Sequence, residues 1–260
     1  FYLNMNIQLP GRWEPVLPNY LKKSLIKKYR MNELNAYRKY DSIITLGIEE
    51  KNTLVREGIP ENKIFKVPMG IDLNKWRYLW KLNKSNKQIV YFGGLNNPYN
   101  VKDVKFLCLE FMPKIWQELG DAELWLVGSN PTKEIVNLAK IPRINVTGYV
   151  ENLSYLFQNK HLFVMPWSGA SGFRSRLIEI MAIGLPVLTT KSLVGQMEIY
   201  AHDKFLLAQE NYSLVEMALL LLKNDRLLTN QSTSGREFVE EMYSFEATYG
   251  ALAKHLKERL

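Results

Sequence analysis

Arg174, Arg176 and Glu179 follow directly on a loop of small residues, Ser168, Gly169, Ala170, Ser171 and Gly172, with Phe173 between. Residues of these types in this order suit an anion and a sugar ring. Glycines such as Gly169 and Gly172 let a backbone approach a ligand closely. A helix opening behind such a loop presents unpaired N–H groups and a partial positive charge. Arg174 and Arg176 add full charges nearby, and the set matches a diphosphate. Glu179 shares one helical face with Gly172, Ser175 and Arg176, while Ile178, Met181 and Ala182 take the opposite, buried side. It lies roughly 10 Å along the axis from Gly172, and its side chain leans back toward the helix start. A carboxylate there can accept from both hydroxyls of a ribose whose phosphates occupy the helix N-terminus. The same residues also fit an ordinary surface pair between Arg176 and Glu179, worth roughly a few tenths of a kcal/mol. Residue chemistry alone leaves both readings open.

The elements around this segment decide where it sits. The apolar run 161–165 and Pro166 predict a strand whose carboxyl end feeds the loop. Strands are also expected at 41–47, 63–68, 88–94, 122–128 and 144–150, and another after Pro186. Helical spacing is expected from Leu21, over 33–40, 49–58, 101–120, 132–140, 152–160, 215–225 and 229–244, and in a closing helix from 245. Residues 1–20, with Pro10, Trp13, Pro15 and Pro18, read as irregular, and the polar run 81–87 reads as a linker. Repeated strand–helix units predict an α/β fold with a Rossmann-like parallel sheet and helices on both faces. Such sheets bind ligands at the carboxyl ends of their strands.

A chain of 260 residues that is 47% hydrophobic and 23% charged can build a real core in one large domain or two small ones. No apolar run reaches the roughly 18 residues of a membrane span. Phe1 stands where an initiator Met is expected, so the sequence reads as part of a longer protein. Cys108 is the single cysteine, which rules out an intrachain disulfide and a cysteine-based zinc site and fits a cytoplasmic setting. The net charge of +8 favours acidic partners. Lys22, Lys23, Lys27, Lys28, Arg30, Arg38 and Lys39 crowd one early segment, which suits a solvated helix face or peripheral contact with the inner membrane surface. No nucleic-acid module or aromatic platform accompanies them, and nucleic acid is not an expected partner.

The segment "SGFRSRLIEIMAIGLPVLTT" resembles the donor-binding signature of the family 4 (group 1) retaining glycosyltransferases of GT-B fold. "KVPMGIDLNKW", "IVYFGGLNNPYNVKDVKFLCLEFMPKIW", "AELWLVGSNP" and "INVTGYVENLSYLFQNKHLFVMPW" resemble other parts of that family, in the same order, over about residues 40–205. The resemblance implies a partial N-terminal Rossmann-like domain with linker at 1–80, a nucleotide-sugar donor-binding domain at 81–243 and a crossing helix at 244–260. It implies transfer of a sugar from a nucleotide-sugar to a saccharide or lipid-linked acceptor, with retention, in polysaccharide or glycoconjugate synthesis. No cofactor or metal is implied, since the nucleotide-sugar is a substrate.

Carried over residue by residue, the resemblance puts Glu179 on the ribose. It puts Ser168, Gly169, Ala170, Ser171, Gly172 and Phe173 against the sugar and phosphates, beside Arg174 and Arg176. Gly93, Gly94 and Lys102 fall at the diphosphate, and Thr147, Gly148 and Tyr149 at the base. Two positions depart from the family pattern. Ser171 stands where a Glu precedes the ribose Glu by eight positions, and Gly94 stands where an Arg is usual. These departures favour, as an alternative, a non-catalytic nucleotide-sugar-binding module; a GT-B sugar-nucleotide epimerase is a further alternative, but the acidic and His groups it would need at the cleft are not found. No catalytic base is identified: His161 is expected to be structural, and His202 and His255 to lie at the surface.

Overall fold

Five parallel strands form the sheet on which the candidate site depends, in the order β5-β4-β3-β6-β7. They are β3 (Gln88–Phe92), β4 (Glu123–Val127), β5 (Ile144–Gly148), β6 (Leu162–Met165) and β7 (Val187–Thr189). The computed structural model describes residues 19–166, 174–190, 193 and 213–257. The reading of the extreme N-terminus as irregular therefore lies, up to residue 18, outside the described residues, and so does His202.

The chain makes two compact units, one from the described residues up to Pro68 and the other from Met69 onward. The first contains α1 (Asn19–Lys39), β1 (Ile43–Thr45), α2 (Ile48–Arg56) and β2 (Ile64–Lys66). Strands β1 and β2 pair in parallel, Ile43 opposite Ile64. Leu34, Ile43, Leu54, Ile59 and Ile64 form its core, with Tyr37 against them. The two helices expected from Leu21 and from Glu33 are one helix of 21 residues, because no Gly or Pro interrupts 19–39.

In the second unit β3, β6 and β7 are buried at consecutive positions, hence on both faces, as their apolar runs require, while the edge strand β5 is mostly half-buried. Ile89, Val90, Leu124, Leu126, Leu162, Phe163 and Val164 are fully buried. Helices α3 (Pro98–Phe106), α4 (Met112–Glu118), α5 (Lys133–Leu138), α6 (Leu153–Phe157), α7 (Ser175–Ile183), α8 (Leu214–Leu222), α9 (Asp225–Tyr243) and α10 (Ala251–Lys257) flank the sheet or close the chain. Helix α3 starts three residues before the expected Val101. The Asn97 side chain accepts from the Tyr99 N–H, and Pro98 occupies the first turn, where its missing N–H costs nothing. Between α3 and α4 the backbone widens into a π-helical turn over Leu107–Phe111. Pro113 follows and has no N–H for the Leu109 carbonyl, which accounts for the local rearrangement. The expected closing helix likewise opens with a π-helical turn, Glu246–Gly250, before α10.

Strand order reverses between β3 and β6. The chain leaves β3 toward β4 and β5, then returns to build β6 and β7 on the other side. In open α/β sheets that reversal opens a crevice at the carboxyl ends of the two central strands. The opposite ends of the strands are closed by a polar cluster. The Lys160 ammonium sits 3.4 Å from the Trp125 ring centroid and donates to Gln88 Oε1 at 3.0 Å. Burial lowers its pKa to about 8. His161 is fully buried. Its Nδ1 accepts from the Gln88 N–H at 3.1 Å, so its proton lies on Nε2, which donates to the Asn83 carbonyl at 2.8 Å. Burial lowers its pKa below the usual imidazole value. A neutral imidazole with both nitrogens engaged is structural.

Gly128 joins β4 to the crevice. It has φ +151, and a methyl group on it would overlap the Gly93 carbonyl oxygen. Gly128→Ala is expected to destabilise the protein by roughly 2–4 kcal/mol, through backbone strain and steric overlap together. Gly120→Ala meets only the Trp116 carbonyl at 3.6 Å and is expected to stay within about 0.5 kcal/mol of wild type. Urea unfolding of the pair provides the comparison.

Candidate functional site

The crevice between β3 and β6 is built first by backbone. Beyond Phe92 the chain runs through Gly93 and Gly94, and beyond Met165 through Pro166. The Gly93 N–H donates to the Val127 carbonyl at 3.0 Å, and the Gly128 N–H to the Gly148 carbonyl at 3.1 Å. These bonds carry the sheet one residue past the named ends of β3 and β4. The β4–β5 pairing shifts register between Leu126 and Val127, so that Val127 opposes Gly148 instead of Thr147. A bulge of this kind bends a strand end and re-aims its side chains. Gly148 has φ +69, the Thr147 hydroxyl donates to the Gly148 carbonyl, and Tyr149 is left 78% exposed.

Helix α7 supplies the charge. Leu177, Ile178, Ile180, Met181, Ala182 and Ile183 are buried, whereas Ser175, Arg176 and Glu179 are half-buried on the remaining face. The 3.6-residue period gives that division, as the spacing predicts. The helix ends at Gly184, φ +91, in the left-handed region. The Leu185 N–H reaches the Ile180 carbonyl and the Gly184 N–H the Met181 carbonyl, a Schellman closure that fixes the helix end.

Arg176 does not pair with Glu179: no ion pair joins them among the described residues. Its Nη1 instead donates to the Phe92 carbonyl at 2.8 Å, tying α7 to the end of β3. The guanidinium lies so close over Gly93 that any Cβ there would collide with it. Asn100, buried in the first turns of α3, donates to the Gly94 carbonyl at 2.8 Å and holds the glycine turn from the other side. Arg174, at the mouth of α7, has a pKa below the usual guanidinium value, first because it is buried and next because Arg176 is near. Burial also raises the Glu179 pKa, while Lys75 and Arg176 pull it the other way. Among the described residues no hydrogen bond occupies the Glu179 carboxylate.

Of the residues singled out in the sequence, the structure brings Gly93, Gly94, Arg174 and Arg176 together, with Glu179 one turn further along α7. Thr147, Gly148 and Tyr149 stand two strands away along the same edge. Lys102 is exposed and lines a cavity of about 670 Å³ together with Pro98, Asp103, Phe106, Pro166 and Thr190. Ser168, Gly169, Ala170, Ser171, Gly172 and Phe173 lie outside the described residues. Sequence reasoning missed Asn100, Asp103 and Gly128. The first had a visible signal in the Asn97–Pro98 helix start; the other two depend on contacts with distant residues.

The fold is that of GT-B glycosyltransferases. Anabaena HepE, solved with UDP and glucose, superposes with a TM-score of 0.65 at 13% identity, over 96% of this chain and 70% of that one. Sucrose-phosphate synthase from Thermosynechococcus elongatus gives a TM-score of 0.68 at 18% identity, over 97% and 65%. WaaG, a glycosyltransferase involved in lipopolysaccharide biosynthesis, gives 0.66 at 14% identity, over 93% and 68%. Residues 86–224, more than half of the chain, match the family model of the glycosyl transferases group 1, and the chain belongs to that family. No curated protein matches it in sequence.

The two cations closest in sequence role, Arg176 and Lys102, should separate on mutation. Arg176→Ala removes a charge-assisted bond to a backbone carbonyl, so a loss of about 1.5–3 kcal/mol is expected. Lys102→Ala, at an exposed position, is expected to cost under about 0.5 kcal/mol. Thermal melting without ligand measures both.

Proposed function

We propose that this group 1 glycosyltransferase is a family 4 enzyme that binds a nucleotide-sugar at the β3–β6 crevice and transfers its sugar, with retention, to a saccharide or lipid-linked acceptor. The observation that carries this reading is the convergence of Gly93, Gly94, Arg174 and Arg176 on the strand-order reversal, with the Glu179 carboxylate, without a hydrogen bond among the described residues, beyond them. HepE, of the same fold, was solved with UDP and with UDP-glucose.

In this reading the diphosphate lies over Gly94, where an added Cβ would meet nothing nearer than Asn96 at 3.6 Å, beside the Arg176 guanidinium that covers Gly93. Arg174 and Arg176 face the oxygens that gain charge as the sugar departs. Fixed positive groups aimed at developing charge lower a barrier without reorganising at the moment of reaction. Arg176 is already tethered to Phe92, so its orientation is set before the donor arrives. Glu179 accepts from the ribose hydroxyls. Thr147 and Gly148 offer the base backbone groups at the end of β5, and the exposed Tyr149 ring offers it a stacking surface. The loop 168–173, in its family role, completes the sugar side.

Calorimetric titration with UDP-glucose, GDP-mannose, ADP-glucose and dTDP-glucose tests donor binding, and at least one is expected to bind. Glu179→Ala should weaken that binding by roughly 10–100-fold, the loss of charge-assisted hydrogen bonds. Equal affinity removes the ribose assignment. The Gly94 and Ser171 departures support a second reading as a binding module without turnover. Release of nucleotide diphosphate in the presence of acceptor separates the two.

Peripheral attachment to a membrane is proposed on the exposed Lys23, Lys27 and Lys28 of α1. No helix among the described residues is long and apolar enough to cross one. Co-sedimentation with anionic vesicles should fall as salt rises and vanish on reversing those three charges. Salt-independent binding overturns the attachment.

A further inference from the structure

Among the described residues Asp103 is the sole buried carboxylate, and nothing above gives it a role. It projects from α3 beneath the end of β3. The Tyr91 hydroxyl, on β3, donates to it at a long 3.5 Å. Arg176 and Arg174, from α7, and Lys102, from its own helix, act on it electrostatically. The next cation of α3, Lys105, is taken up by Glu134 of α5 at 2.6 Å, on the exposed side. A buried acid at the wall of the cavity that Lys102, Pro166 and Thr190 also line is thus within the electrostatic reach of the two guanidinium groups assigned above to the diphosphate.

We infer that Asp103 is a positioning carboxyl that takes up a proton when the donor's diphosphate binds Arg174 and Arg176. The inference rests on the proposed donor site. Its logic is charge balance. With no anion present, the arginines stabilise an ionised Asp103. A diphosphate on the same arginines would cancel that stabilisation and repel a carboxylate within their reach. The anionic ligand and the carboxylate then compete for one positive field, and Asp103 yields by binding a proton from solvent. The one bond formed is the carboxyl O–H, and its proton leaves a water or buffer molecule, which keeps the electron pair.

The direction with pH follows. Burial, opposed by the Tyr91 bond and then by Lys102, Arg176 and Arg174, raises the pKa of Asp103 to about 7. Bound diphosphate raises it further. Below this range Asp103 already carries its proton and affinity is level. Above it each binding event draws in a proton, so affinity falls as pH rises, by at most about tenfold per pH unit. Tyr91, itself raised well above the ordinary phenol value by burial, stays protonated throughout. Glu179, also raised, is separated from Asp103 by the variant below.

The test is calorimetry with whichever of UDP-glucose, GDP-mannose, ADP-glucose or dTDP-glucose binds. The diester diphosphate of these donors does not titrate near neutrality, so proton uptake belongs to the protein. Titrations at about pH 7.5 in two buffers of different ionisation enthalpy count the protons, and a series from about pH 6 to 8.5 gives the affinities. Wild type is expected to take up a fraction of one proton and to lose roughly three- to tenfold in affinity between about pH 6.5 and 8.5. Asp103→Asn, checked for folding by circular dichroism, should take up none and keep the low-pH affinity throughout. Tyr91→Phe keeps every charge but removes a bond that favours the ionised form, so its affinity midpoint should move to higher pH. Should Asp103→Asn fail to fold, the Tyr91→Phe midpoint decides alone. Donor binding by wild type without proton uptake, equal uptake in Asp103→Asn, or an unmoved Tyr91→Phe midpoint overturns the inference and leaves the donor site standing. No donor binding at any pH overturns the donor site and the inference with it.

Discussion

The bond from the Arg176 guanidinium to the Phe92 carbonyl sets the local geometry of this molecule. It draws a bulky cation onto the end of a central strand, and everything within reach must make space. Gly93 has no side chain because the guanidinium occupies the volume one would need. Gly128 has none because the Gly93 carbonyl fills the next position. Asn100 then holds the Gly94 carbonyl, so the turn cannot swing out to relieve the crowding. Packing of this density transmits strain and tolerates few substitutions. Three strand ends and the first turns of two helices are thus fixed relative to one another without the helix dipole having to organise them.

Much of this architecture is legible in the sequence because strands buried on both faces are continuous apolar runs. "QIVYF", "ELWLV" and "HLFVM" allow few other readings, and the alternation with helices leads to a parallel sheet. Gly184 and Pro186 mark the end of α7 by ordinary helix-stop chemistry. The start of α3 was signalled by Asn97 and Pro98, but a loop rich in Asn and Pro is easily extended too far. The unbroken α1 shows the opposite error, two helices expected where no breaker separates them. What could not be read is equally physical. The reason for Gly128 lies on Gly93, 35 positions earlier. Asp103 looks like any acid beside a lysine until the fold buries it. The pairing of Arg176 with Glu179, allowed by helical spacing, gives way to a backbone acceptor on another element, which no local period reveals.

Family membership and the carboxyl-end crevice agree on where ligand chemistry belongs, and the electrostatics add what sequence comparison lacks. The site carries two arginines in partial burial, a condition that is costly unless an anion shares it. One of the two is anchored to backbone, and the other has its pKa depressed first by burial and then by its neighbour. Positive potential of this kind, confined between low-dielectric walls, raises the local concentration of a polyanion before any specific contact forms. At the far end of the strands the polar groups satisfy one another: Lys160, Trp125, Gln88, Glu123 and His161 form a closed set. Two half-buried arginines at one end and a closed polar set at the other give the sheet its polarity.

The stretch from Trp76 to Lys81 has a last implication. The Leu79 and Trp80 N–H groups both donate to the Ile183 carbonyl, the Lys81 N–H donates to the Gln158 carbonyl, and the Trp80 indole donates to the Lys160 carbonyl. Arg236 clasps the Trp76 and Ala182 carbonyls from α9, and the Tyr78 ring lies over Gly184. This ribbon supplies hydrogen-bond donors that α7 lacks at its own C-terminus, from about a hundred positions upstream. Shuffling of halves between homologous transferases, in nature or in the laboratory, would therefore have to inherit the ribbon with the sheet it seals. A crossover placed in the polar run at 81–87 would keep the Gly184 closure of the arginine-bearing helix but exchange the Leu79 and Trp80 donors to the Ile183 carbonyl.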